Sequence, residues 1–275
     1  MFALLSEDPF LPYSLFPQSD NLYLLHLHEI LGALLFYVAV YQWVAPVLNR
    51  LIFGKHYTSI QKPKVRVDFD VHTVSHIQCV VTMYVIAPII RRPMDLNVVT
   101  YKDDLCAMAS SVTLGYFLWD LGVCVLHYEL YGLQFMAHCL SSLYVVGLTL
   151  KPFCLSWGGK FLLFEASTPF VNNNWFITQL SRGASKPVVP LWFNVLNGLL
   201  LLAVFFTVRI LWGFTAILLL IHQMWKVRDQ LPVLQTCILL SLNVTLNSLN
   251  VFWFYKMLRI ARKMANGSSK VTKSH

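Results

Sequence analysis

Leu191–Ile221 reads LWFNVLNGLLLLAVFFTVRILWGFTAILLLI, an apolar run that carries one charged side chain, Arg209. A helix needs about 20 mostly apolar residues to cross a bilayer. The apolar stretch, about 189–223 with its flanks, is therefore more than one perpendicular crossing requires. It tilts, breaks near Gly213, or holds two short segments. Working outward, similar runs occupy about 26–48 (ending near Pro46), 71–90 (ending at Pro88), 106–127, 133–150 and 233–257. A weaker one, about 155–178, is interrupted by Lys160, Glu165 and Pro169. The expected fold is all-α: a polytopic transmembrane helix bundle of about seven spans around an internal cavity.

Composition agrees. Of 275 residues, 57% are hydrophobic and 12% charged, and the mean hydropathy is +0.59. Soluble domains carry about 25% charged residues, so disorder, a coiled coil and an ordinary soluble enzyme are excluded. The net charge of +8 does not point to nucleic acid, because the basic residues sit between apolar runs, where they meet lipid head groups. None of the six cysteines forms a CxxC pair and most lie in apolar segments, so neither a disulfide framework nor a zinc site is expected.

The chain divides into an N-terminal segment 1–25, a bundle 26–257 and a short basic, disordered tail 258–275. Residues 1–21 contain no Lys or Arg, which argues against a cleaved signal peptide. With seven spans, thirteen Lys and Arg fall on one side, in loops 49–70 and 179–188 (including Lys186) and in the tail (including Lys273). Six fall on the other: Arg91, Arg92, Lys102, Lys151, Lys226 and Arg228. The positive-inside rule then places the N-terminus in the lumen and the tail in the cytosol. Two N-x-S/T sequons test this: Asn243 lies inside a span and Asn266 in the tail, and neither should carry a glycan.

Ionisable groups inside a membrane are costly and usually face the bundle interior. His72 and His76 share one face of the second span at i, i+4. The third span carries Tyr116, Asp120 and His127; the fourth Gln134, His138, Ser141 and Ser142; the fifth Glu165; the sixth Arg209. Asn243, Asn247 and Asn250 make one polar face of the last. Turned inward, these stripes surround a shared cavity. There Asp120 with His76, His127 or His138 would supply a carboxylate–imidazole general base. Glu165, Asn172, Arg209, Tyr116, Asn243 and Asn247 would line the substrate site. Set against this are blander roles: helix–helix hydrogen bonding for His76 and the Asn stripe, and snorkelling or pairing with Glu165 or Asp120 for Arg209. His26, His28, His56, His222 and His275 read as terminal or interfacial, and Trp43, Trp157, Trp175 and Trp225 as interface anchors.

The segments Val74-Ser75-His76, Gly115-Tyr116-Phe117-Leu118-Trp119-Asp120 and Phe135-Met136-Ala137-His138 carry a resemblance. So do Phe164-Glu165-Ala166-Ser167-Thr168-Pro169-Phe170-Val171-Asn172 with Trp175, and Asn197-Gly198 followed by Phe205-Phe206 and Arg209-Ile210. Over about residues 70–260 the chain resembles the TLC-domain family, which includes the ceramide synthases. It looks closer to the uncharacterised TLC-domain proteins than to the synthases. The resemblance implies a helix bundle around a membrane-facing cavity, residence in the endoplasmic reticulum or a related membrane, and a role in lipid metabolism. For ceramide synthases it implies acyl-CoA-dependent N-acylation of a sphingoid base. The synthases pair two histidines and follow them with an acidic pair. This chain has His138-Cys139, and its Asp103-Asp104 lies earlier, in a loop.

Three functions compete. In the first, an endomembrane protein handles a membrane lipid in its cavity, in sphingolipid or phospholipid homeostasis, and needs no cofactor. In the second, a lipid acyltransferase uses His138 as base with Asp120 and takes acyl-CoA as cosubstrate. The third is a non-catalytic membrane receptor or scaffold. Glycine-rich phosphate loops, nucleophile elbows and HExxH motifs are absent from the sequence. The partners expected are membrane lipids, and the oligomeric state stays open.

Overall fold

The computed structural model describes residues 5–182 and 188–272, with side chains to residue 262. Lys186, Lys273 and His275 lie outside the described residues. Every regular element among the described residues is helical. A 3₁₀ turn at Leu11–Tyr13 and a single turn at Leu22–Leu25 lead into α1 (Leu27–Phe53). Then come α2 (Pro63–Ile86), α3 (Asp104–Leu126) and α4 (Tyr128–Thr149). The short α5 (Leu155–Phe161) passes through a 3₁₀ segment, Leu162–Ser167, into α6 (Thr168–Ser181). The long α7 (Leu191–Lys226) and α8 (Val233–Thr272) close the chain.

Four helices are long and apolar enough to cross a membrane: α1, α3, α7 and α8 over Val233–Arg262. Four features differ from the sequence expectation. Pro46 does not end α1, because a π-helical segment at Val40–Val44 precedes it and loosens the turn into which the ring would clash. The long apolar run does not break at Gly213. It stays one helix, with a π-helical segment at Phe206–Leu211. The weak fifth segment is not one helix, because 3₁₀ geometry separates α5 from α6 at Leu162–Ser167. The tail read as disordered instead continues α8 to Thr272.

The helix starts follow local chemistry. Asp103 caps α3 by accepting from the Cys106 amide at 2.9 Å, and its other oxygen takes Tyr101 at 2.9 Å and Arg92 at 3.0 Å. Burial, and then that bond to Asp103, pushes the Tyr101 hydroxyl above its ordinary range. The pair Asp103-Asp104 thus begins a helix rather than sitting in a loop. Pro63 and Pro169 occupy the first turns of α2 and α6, where a missing N–H costs little. Gly132, at φ 67°, breaks α4 near its start, a conformation that favours glycine.

The centre of the fold is α3, whose Ala107, Met108, Ala109, Ser111 and Gly115 are all buried. It packs on α1 on one side and α4 on the other. A Cβ at Gly115 would stand 2.5 Å from the Ile30 carbonyl oxygen and 2.6 Å from Ala33 Cβ, so the helices meet backbone to backbone. Beside this contact, Tyr37 stacks edge-on against Tyr116 and donates to Gln78, which donates to Thr82 at 2.8 Å, tying α1 to α2. At the far end of α1, Asp70 accepts from Asn49 Nδ2 at 2.7 Å and from the Tyr57 hydroxyl at 2.8 Å. Thr73 donates to Asn49 Oδ1 at 2.7 Å. All four residues are buried. Burial, reinforced by Asp70, raises the Tyr57 hydroxyl above its usual range.

Two substitutions check this frame. Gly115→Ala is expected to lower thermal stability in detergent by about 1–3 kcal/mol through overpacking, whereas Gly122→Ala, with nothing within 4 Å, should not destabilise. Asp70→Ala strands the buried donors of Asn49 and Tyr57 and should cost about 1–3 kcal/mol in the same measurement.

Candidate functional site

A cavity of about 140 Å³ lies between α4, the 3₁₀ segment, α7 and α8. Its walls are largely apolar and include Val145, Leu148, Phe161, Leu220 and Leu239. Into it converge His138 and Ser142 from α4, Glu165 from the 3₁₀ segment, Arg209 from α7, and Asn243, Asn247 and Asn250 from α8. Five of the residues expected as general base or substrate-site lining therefore share one wall system: His138, Glu165, Arg209, Asn243 and Asn247.

Each is delivered by a local irregularity or a helical repeat. Arg209 sits within the π-helical segment, a feature often found at functional sites. Its Nε donates to Ser167 Oγ at 2.8 Å, and its guanidinium carbon lies 5.3 Å from the Phe205 ring centroid. Ser167 in turn donates to the Phe164 carbonyl at 2.9 Å. Glu165 accepts from Thr168 Oγ1 at 2.8 Å, and its backbone carbonyl takes the Cys79 thiol at 3.1 Å. The Glu-x-Ser-Thr-Pro stretch is thus one hydrogen-bonded turn that aims Glu165 and braces Arg209. Among the described residues no carboxylate lies within 4 Å of Arg209, and the buried Nδ1 of His138 has no partner. The Asn stripe holds together by i, i+4 spacing, with Asn247 Nδ2 donating to Asn243 Oδ1 at 2.6 Å. A Cβ at Gly213 would stand 3.0 Å from Asn247 Oδ1, so that glycine lets α8 approach α7.

The other expected site residues lie elsewhere. Asp120 faces no imidazole: it accepts from the Cys139 thiol at 3.0 Å, and Cys139 lies 3.4 Å from Cys124 sulfur to sulfur. The reason is register. His138 and Cys139 are neighbours about 100° apart around α4, so when Cys139 meets α3, His138 turns to the cavity. Tyr116 belongs to the aromatic core with Tyr37 and Trp119. His76 meets Asn173 Oδ1 at 3.2 Å, and Asn172 donates to the His72 carbonyl at 3.3 Å, which joins α2 to α6. His72 stacks on Trp175 at 4.0 Å. His127 closes α3, its amide donating to the Val123 carbonyl at 2.9 Å. Trp157 is not an interface anchor: it is buried, and its indole donates to Gln223 at 2.7 Å.

Among the described residues, metal-ligating side chains come together in two places. One is Asp120, Cys124 and Cys139. The other, Asp8, His26 and Glu29, is buried against the start of α1 and was not anticipated, since His26 read as interfacial. The signal available was His26-x-x-Glu29, an i, i+3 pair of ligating types on one helical face.

The TLC-domain family model matches residues 68–259. The chain is 54% identical over 257 residues to topoisomerase I damage affected protein 4 of Saccharomyces cerevisiae, covering 94% of this chain and 92% of that one. It is 31% identical over 258 residues to an uncharacterized TLC domain-containing protein of Schizosaccharomyces pombe, covering 90% and 82%. It is 33% identical over 160 residues to human TLC domain-containing protein 4, covering 54% of this chain and 55% of the human one. No solved structure matches. With that match spanning most of its helices, the chain belongs to the TLC-domain family, whose members share a lipid-related role in membranes.

Proposed function

We propose that this is a seven-pass protein of the endoplasmic reticulum or a related membrane that binds a membrane lipid, a sphingolipid or phospholipid, in the α4–α7–α8 cavity. Alongside the four apolar helices, α2, α4 and the α5–α6 pair complete the passes. The N-terminus lies in the lumen and α8 ends in the cytosol, as the distribution of Lys and Arg favours.

One observation carries the reading. A guanidinium, an imidazole, a carboxylate and an amide stripe face an otherwise apolar cavity in a bundle that contains the family's motifs. Arg209 donates to a neutral hydroxyl, and Glu165 shares its cavity without reaching it within 4 Å. An intramembrane charge left in this state is costly, and a polar head group supplies the missing partner. A cavity of about 140 Å³ is smaller than the roughly 300 Å³ at which ligand pockets begin. It takes a head group and the first part of a chain, while the remaining hydrocarbon stays in the bilayer.

Quantitative lipidomics tests the site. In cells lacking the protein, wild type at matched expression should restore the altered lipid class, and His138→Ala or Arg209→Gln should not. Equal restoration by both variants would sink the cavity as the working site. If purified wild type consumes acyl-CoA and His138→Ala does not, acyl transfer replaces binding. Orientation has its own check. Asn266 should carry no glycan, and glycosidase-sensitive mass at that position would invert the topology.

A further inference from the structure

A second polar site lies at the start of α1, remote in sequence from the lipid cavity. Asp8 is 8% exposed, His26 0% and Glu29 5%. His26 Nδ1 stands 3.1 Å from both oxygens of Glu29 and 3.5 Å from Asp8 Oδ2. One imidazole nitrogen therefore faces three carboxylate oxygens and can offer them one proton. Asp8 Oδ2 is buried, has no hydrogen-bond partner and points into the cluster. The other oxygen of Asp8 accepts from the amides of Phe10 at 2.8 Å and Leu11 at 3.2 Å, which fixes the carboxylate in that pose.

Charge sharpens the problem. With both carboxylates ionised and His26 neutral the cluster carries −2, and protonating His26 leaves −1; another titratable group facing it is His28, whose Nε2 lies 3.6 Å from Glu29. Buried charges in that state are expensive unless paired or bound to metal. A divalent cation with neutral His26 brings the sum to zero.

The spacing suits an ion. The two spacings from His26 Nδ1, 3.1 Å to Glu29 and 3.5 Å to Asp8, subtend about 95–115° at a cation roughly 2.1 Å from each donor, near tetrahedral zinc, and all three donors lie within 4.8 Å of one another. An imidazole with two carboxylates is a donor set for first-row divalent ions rather than for magnesium, which keeps oxygen ligands and water. Asp8 also lines an open surface pocket of about 480 Å³, edged by Arg92 and Asp104, which gives an ion a route from the aqueous side. The amides of Phe10 and Leu11 hold the other Asp8 oxygen as outer-shell groups hold a metal ligand, while His26 Nε2 is buried with no partner.

We propose that Asp8, His26 and Glu29 bind one divalent transition-metal ion, with Zn²⁺ as the probe, and that this ion pins the N-terminal segment to the first helix. The assignment stands whether or not the lipid cavity works as described.

Full-length protein in detergent, stripped with chelator and dialysed, is titrated with Zn²⁺ and read by elemental analysis and thermal unfolding. The expected result is about one equivalent held per chain and a rise in Tm. Asp8→Asn and Glu29→Gln should weaken binding at least about tenfold, while Cys139→Ser, which disrupts the thiol cluster, should retain the ion. X-ray absorption of the wild-type zinc complex should show nitrogen and oxygen neighbours without sulfur, a readout independent of whether the variants fold. The proposal is overturned by the absence of both bound ion and Tm shift, by sulfur in the shell, or by an ion kept in Asp8→Asn and Glu29→Gln but lost in Cys139→Ser.

Discussion

The contact of α3 with α1 at Gly115 sets the geometry from which the rest of the bundle follows. A hydrogen in place of a methyl group lets the two backbones touch, and the small residues on the same helix extend that closeness. In a membrane there is no hydrophobic force between helices to replace such packing. Once α3 is seated, its opposite face fixes the register of α4 through Asp120, Cys124 and Cys139. That register sends Cys139 to α3 and His138 the other way. The direction of the imidazole that faces the cavity is thus decided at a neighbouring helix pair.

Polar groups in this chain differ in how completely they are satisfied. The cluster around Asp70 is closed: Asn49, Tyr57 and Thr73 supply its donors, and it reads as a structural lock between α1 and α2. The cavity cluster is open, with His138 Nδ1 unpartnered and Arg209 resting on Ser167. The N-terminal cluster is crowded with acceptors around one imidazole nitrogen. Low local dielectric rewards a complete network and penalises an incomplete one. The incomplete ones are therefore where a ligand has free energy to contribute, which separates a lock from a site even though the residue types overlap.

Much of this was legible in the sequence. Apolar run length gave the helices, and the cost of intramembrane polarity gave His138, Glu165, Arg209, Asn243 and Asn247, which do share a cavity. Spacing along one helix cannot say which stripes face each other. Asp120 and Tyr116 were therefore grouped with His138, although α3 spends both on packing. The π-helical segments were hidden because they change register without changing composition. They explain why Pro46 leaves α1 intact and where in α7 the Arg209 backbone departs from α-helical geometry. Asp8 was unreadable as a partner of His26 because its position depends on an irregular segment with no periodicity to read.

The location of the cavity follows from a gradient of packing. Within an apolar 18-residue stretch of each span, 61% of the residues of α3 are buried but only 17% of those of α8. The cavity has α4 as one wall, anchored to the most buried helix, and α8 as another. The ionisable groups stand on the anchored side: His138 on α4, Glu165 in a bonded turn, and Arg209 braced by that same turn. The loose side contributes amides, whose hydrogen bonds can be exchanged at lower cost than an ion's. The ionisable groups of the cavity thus stand on its well-packed side and the amides on its less buried side, where α8 meets α7 at the Gly213–Asn247 approach.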